Sequence, residues 1–191
     1  VNAKDDGIRG KDSVTINNAN ITVKSTGDAI KSTNDTDTSK GYIVINGGTI
    51  NIETESDAIQ AETELKITSG NITIKTTGST NNDESSKGLK AGTLIEISGG
   101  TFNITSTDDS IHSNGNLSIT GGEFTITSDD DGVHADGLIQ IDEGTFDITA
   151  HEGIEATYVK INDGTVNISA SDDGINAGNK SSNYSVTVEI N

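Results

Sequence analysis

The chain has no cysteine, methionine, tryptophan or proline, and aromatic residues make up only 3% of its 191 positions. Without cysteine there is no disulfide, no thiolate metal site and no thiol nucleophile. A hydrophobic content of 30% and a high net charge point toward disorder, but the absence of proline argues against a disordered linker. Cations are scarce: 12 Lys and Arg stand against 30 Asp and Glu, a formal charge of −18. So acidic a chain is a poor partner for nucleic-acid phosphates. No apolar run approaches the roughly 18 residues of a membrane span, so no membrane insertion is expected. The length suits one domain or two small ones. Val1 opens the sequence with no visible signal segment, which reads as a mature or trimmed chain.

What the chain does have is repetition. An Asp-Gly-Ile unit or a near variant recurs throughout, its aliphatic residue falling at Ile8, Ile30, Ile59, Leu89, Ile111, Val133, Ile154 and Ile175. Each unit carries three short alternating segments, in the fifth Ile111-His112-Ser113, Leu117-Ser118-Ile119 and Phe124-Thr125-Ile126. Period-2 alternation means strand, and helical spacing is absent. The step from second to third segment is 7, as in Val14 to Ile21 and Leu117 to Phe124. Steps of 6, 7 and 9 make a 22-residue unit, so the two longer units hold polar surface insertions near 32–40 and 78–86. A unit this small cannot bury its apolar face alone, but stacked units can. The expectation is an all-β, single-domain, right-handed parallel β-helix of about eight coils with three short parallel sheets over 1–191.

Glycines mark the corner between second and third segments: Gly47-Gly48, Gly99-Gly100, Gly121-Gly122 and single Gly70, Gly144 and Gly164. Glycine permits a positive φ there. A phosphate loop is disfavoured, since nothing helical follows and the flanks are acidic. Phe102, Phe124 and Phe146 lie 22 apart and should stack inside consecutive coils as core.

The turn before each first strand is rich in acids. Two residues before the marker stand Asp6, Asp28, Asp57, Lys87, Asp109, Asp131, Glu152 and Asp173; one earlier stand Asp5, Asp108, Asp130, His151 and Asp172 among others. Stacking brings like positions about 5 Å apart, where two unit charges repel by about 3 kcal/mol at an effective dielectric of 20. Backbone N–H bonds, raised pKa values or a bound cation must offset this. Calcium, which takes six to eight oxygens in flexible geometry, suits Asp5, Asp6, Asp108, Asp109, Asp129, Asp130, Asp131, Glu152, Asp172 and Asp173. The plainer alternative is an Asp-Gly turn chosen for its backbone preference, its acids merely solvated.

One residue after each marker lies an outward column: Arg9, Lys31, Gln60, Lys90, His112, His134, Glu155 and Asn176. With Asn114 and Asp136 two positions further on, it could hold a sugar carboxylate beside calcium. The candidate carbohydrate contacts are Lys31, Lys90, His112, His134, Asp136 and Glu155, against the alternative of an ordinary solvated sheet face. A transition-metal site from His112, His134 and Glu155 is a weaker option, because ligands from one ladder seldom give good geometry. Outward threonines on the third strand, such as Thr101, Thr125 and Thr145, are good exposed strand residues. Ice binding would need a regularity that Glu53, Lys75, Glu123 and Asp147 interrupt.

The unit Asp130-Asp131-Gly132-Val133-His134-Ala135-Asp136-Gly137, then Ile139-Gln140-Ile141, then Gly144-Thr145-Phe146-Asp147-Ile148, resembles a bacterial family of polysaccharide-lyase-like β-helix proteins. Asp172 to Ala177 and Asp5 to Gly10 match it more loosely, whereas Lys87-Gly88-Leu89 and His151-Glu152-Gly153 depart from it. The resemblance implies an extracellular or cell-surface, calcium-containing protein that binds cellulose or acidic polymers such as polygalacturonate without established lyase activity. The leading expectation is therefore a non-catalytic polysaccharide-binding protein with Ca²⁺ as stabiliser or bridge. A pectate-lyase-type enzyme would need a base such as Arg9 or Lys90 near the sugar C5 proton. A calcium-stabilised adhesin or spacer is the third reading.

Overall fold

The structure, a computed structural model, describes residues 1–78 and 85–191. Its strands begin with β1 (Ile8–Gly10), β2 (Ser13–Ile16), β3 (Ala19–Ser25), β4 (Ile30–Ser32), β5 (Tyr42–Thr54) and β6 (Ile59–Ala61). There follow β7 (Glu64–Thr76), β8 (Leu89–Ala91), β9 (Leu94–Ile97), β10 (Thr101–Ser106), β11 (Ile111–Ser113) and β12 (Asn116–Ser128). The last are β13 (Val133–Ala150), β14 (Ile154–Ile161), β15 (Thr165–Ala170), β16 (Ile175–Ala177) and β17 (Thr187–Ile190). The described residues contain no helix, hence none long and apolar enough to cross a membrane.

All pairings among these strands are parallel, and they follow the sequence repeat. The marker residues form one file, Ile8↔Ile30↔Ile59↔Leu89↔Ile111↔Val133↔Ile154↔Ile175. The second segments form another, Val14↔Ile43↔Leu65↔Ile95↔Leu117↔Ile139↔Val159↔Val188. The third runs Ile21↔Ile50↔Ile72↔Phe102↔Phe124↔Phe146↔Val166. Alternation then sends one side chain of each pair inward, and the interior is a column of Ile, Leu, Val and Phe. Each such side chain contributes roughly 1.5–3 kcal/mol by leaving water. The phenylalanines stack as expected, with centroids 4.6 and 4.5 Å apart and planes within 4° and 2°. So narrow a core explains how a chain with few apolar residues folds.

Three separate short sheets are not what forms. The strands join into one 17-stranded hydrogen-bonded sheet, because β5, β7 and β12 run through the corner between second and third segments and β13 runs through all three segments. The glycine corner permits this. Gly48 has φ +103° and Gly122 +121°, and the register slips locally rather than breaking, as between Ile119 and Glu123. At Gly48 a Cβ would lie 2.1 Å from the Ala19 carbonyl oxygen, so glycine is required there by space as well as by φ.

The insertions are less loose than their polarity suggests. Asn34, inside 32–40, is buried; its amide donates to Asp12 Oδ1 at 2.6 Å, and its Oδ1 accepts the Asp37 N–H at 3.0 Å. Most of the 78–86 insertion lies outside the described residues, but Ser86 is buried with its hydroxyl on the Glu55 carbonyl oxygen at 3.0 Å. A further inward feature is polar. Where the third strand ends, Thr54, Thr76 and Ser128 donate to the carbonyl oxygens of Gly27, Ser86 and Asp108 at 2.6, 2.7 and 2.8 Å. These hydroxyls pin the acidic turns to the sheet.

Candidate functional site

The acidic turns stack, and their inner carboxylates are built into the sheet. Asp28, Asp57, Asp109 and Asp131 are all buried. At Asp6, Asp28, Asp57 and Asp109 one oxygen serves the next repeat. The Asp28 N–H donates to Asp6 Oδ1 at 3.1 Å, Asp57 N–H to Asp28 Oδ1 at 3.0 Å, Lys87 N–H to Asp57 Oδ1 at 2.8 Å and Asp131 N–H to Asp109 Oδ1 at 3.1 Å. Carboxylates replace the carbonyl acceptors that an unbroken ladder would supply.

The other oxygen faces a basic side chain from the outward column. Arg9 reaches Asp6 Oδ2 at 3.3 Å, Lys31 reaches Asp28 Oδ2 at 2.6 Å and Lys90 reaches Asp57 Oδ2 at 2.9 Å. His112 Nδ1 lies 2.6 Å from Asp109 Oδ2, and His134 Nδ1 lies 2.7 Å from Asp131 Oδ2. The acids and basic side chains that read as two adjacent columns in the sequence pair into one file. The fourth repeat, which lacks the acid, fits the same logic. Lys87 Nζ sits 2.6 Å from Asp108 Oδ1 and 2.9 Å from Asp109 Oδ2, while its neighbour Lys90 reaches back to Asp57. Burial alone would raise the Asp109 carboxyl, but His112 and Lys87 together hold it well below the usual range.

His112 and His134 are stacked neighbours, centroids 4.7 Å apart and planes 15° from parallel. His134 Nδ1 also lies 3.2 Å from Glu155 Oε2, and its Nε2 lies 3.5 Å from Asp136 Oδ1. Carboxylate oxygens lie near both nitrogens, an arrangement that favours the protonated ring. Burial works against that charge, but the bond to Asp131 and the charges of Asp109 and Asp131 outweigh it and raise the His134 pKa. Burial also pushes Asp131 up, against the His134 bond, with Asp109 and Asp130 adding to the rise. Glu155 is satisfied by Lys180, 2.7 Å away. The segment carrying Lys180 is tied down by its N–H to Thr157 Oγ1 at 2.9 Å, and His134 and Glu155 are buried rather than facing outward as the sequence suggests. Of the other expected carbohydrate contacts, Lys31, Lys90 and His112 are half-buried in ion pairs and Asp136 is 41% exposed.

The outer acids differ. Asp5, Asp129, Asp130, Asp172 and Asp173 are exposed, and Glu152 is half-buried beside the Asn176 amide at 3.1 Å. Burial, with the charges of Asp109 and Asp108, raises Asp130. Calcium needs six to eight oxygens. Asp28, Asp57 and Asp109 do not fit it, since one oxygen holds a backbone N–H and the other a lysine ammonium. The outer acids have oxygens to offer, and ligand atoms of His151, Glu152 and Asp172 lie within 4.8 Å of one another. Beside the acidic turns runs a groove of about 490 Å³ lined by Asp5, Asp6, Asp28, Lys31, Asp57 and Gln60.

A second groove, of about 660 Å³, follows the glycine corner, with Gly122 and Gly144 in its floor and Glu123, Glu143, Asp163 and Thr145 along it. Reading the corner only as a turn misses it. The signal was available: residues without side chains repeat at one corner and so leave a channel down the stack.

A family model described as "Carbohydrate-binding domain-containing protein" matches residues 1–132 and, again, 114–191. No curated protein and no solved structure matches the chain.

Proposed function

The chain belongs to the family of carbohydrate-binding domain-containing proteins, and from that membership we propose a non-catalytic, extracellular or cell-surface protein that binds plant cell-wall polysaccharide. The fold is proposed to be a right-handed parallel β-helix of about eight coils, which the single file of eight paired marker residues supports. The polymer class is acidic, of the polygalacturonate type, with cellulose as the neutral alternative.

The observation that carries the reading is the family match over the whole chain. The groove beside the acidic turns supports it, because it runs along the stack and presents side-chain donors and acceptors at the spacing of successive repeats. At −18 the protein repels an acidic polymer. Calcium held by outer acids such as Asp130, Glu152, Asp172 and Asp173 would bridge to sugar carboxylates, and the chemistry it supplies is charge neutralisation. Tyr42, 37% exposed, is the one aromatic among the large hydrophobic side chains exposed in the described residues, so a flat aromatic platform for crystalline cellulose is not available.

A lyase reading finds less support. Elimination needs a base that can shed its proton, whereas Arg9 is paired with Asp6 and Lys90 with Asp57. Incubation with polygalacturonate should give no ultraviolet absorbance from unsaturated product. Pull-down on polygalacturonate and on cellulose, with calcium and with chelator, tests the whole. Retention on polygalacturonate that weakens in chelator is expected; protein left in the supernatant with both polymers, calcium present or absent, overturns the reading.

A further inference from the structure

We propose that the acidic file is a cation site whose occupant is part of the chain: the Lys87 ammonium stands where a divalent ion would otherwise be needed, so folding does not depend on calcium. This concerns the carboxylates that Lys87 holds, Asp108 and Asp109, and does not rest on the carbohydrate reading.

Lys87 occupies the position that aspartate holds in the repeats on either side, at Asp57 and Asp109. Its side chain is only 13% exposed, with Asp108 at 17% and Asp109 at 5%. The ammonium lies 2.6 and 2.9 Å from their oxygens, closer to both than water-separated pairing would bring it. Removing its charge leaves Asp108, Asp109 and Asp130, whose ligand atoms lie within 4.8 Å of one another, without the ammonium that neutralises them. The same arrangement recurs where Asp131, His134 and Glu155 converge. There the tethered positive charge comes from Lys180, 2.7 Å from Glu155. Lys31 and Lys90 complete the series at Asp28 and Asp57. An ion entering any of these places must first expel a tethered cation, which pays no translational entropy to stay.

Thermal unfolding with and without chelator tests this on the whole chain, alongside Lys87→Met and Lys87→Arg. The wild-type protein should fold cooperatively in chelator, and millimolar calcium should raise its midpoint far less than that of Lys87→Met. Lys87→Met should unfold about 10 °C lower in chelator, from the loss of one buried partner, and recover much of that as calcium is titrated in. Lys87→Arg should keep the small wild-type response to calcium, and if Lys87→Met does not fold without calcium, its folding in calcium reads the same way. A wild-type midpoint that calcium raises as much as it raises that of Lys87→Met overturns the inference, as does a Lys87→Met chain that melts like wild type and ignores calcium. Polymer retention is measured separately, so a protein that binds no polysaccharide leaves this result intact.

Discussion

At the scale of single residues the molecule rests on two kinds of position, an apolar one and a spatially forced one. Phe124 lies between Phe102 and Phe146 at stacking distance, and all three are buried. Phe124→Ala should destabilise by about 3–5 kcal/mol, read by chemical denaturation, since rigid strands on both sides limit collapse into the void. Gly122→Ala combines φ +121° with a Cβ placed 3.0 Å from Phe124 Cε2, and its cost of about 1–3 kcal/mol should come with a perturbed phenylalanine environment. A smaller unfolding free energy change than 1 kcal/mol at either position would mean the column is looser than its geometry. For the outer acids the expectation is opposite in kind. Asp130→Asn with Asp172→Asn should leave stability unchanged or raise it, because exposed like charges are removed, while calcium-dependent retention on polygalacturonate falls several-fold.

At the scale of the element, the turn and the first strand act as one electrostatic unit. The strand's outward side chain three residues after the inner acid returns to that acid, as Lys31 does to Asp28 and His134 to Asp131. This has a pH consequence with a definite sign. His134 is raised in the folded state above its unfolded value of about 6.5, so its contribution is fully present below that pH and is lost as pH rises through the folded pKa. Asp109 is lowered, so its contribution is present above about pH 4 and is lost as pH falls. The thermal midpoint should therefore be highest in mildly acidic solution and decline on both sides. His134→Gln should flatten the alkaline limb and leave the acid limb in place; an unaltered alkaline limb would remove His134 from the account.

At the scale of the whole molecule, repetition explains most of what was legible. The spacing from Ile8 to Ile175 placed every marker in one paired file, and the step of seven placed Val14, Ile21 and their counterparts in the other two. Period alone could do this because in a stacked structure sequence spacing is spatial position. The phenylalanine stack and the His112–His134 stack followed from the same arithmetic. What period could not supply was the direction in which a long side chain leaves its strand. The acids of the turn and the cations of the strand shared a repeat, yet whether Lys87 pointed to solvent or to Asp108 and Asp109 depended on rotamers and on which neighbour lay within reach. Nor did spacing reveal that the Lys180 segment covers Glu155 and that His134 is buried, since these follow from a loop folding back across the sheet. Strand, register and core could be read from residue spacing, because these obey a period. Which charges neutralise which needed the folded chain, because that is settled over a few ångströms by contacts between side chains that no period encodes.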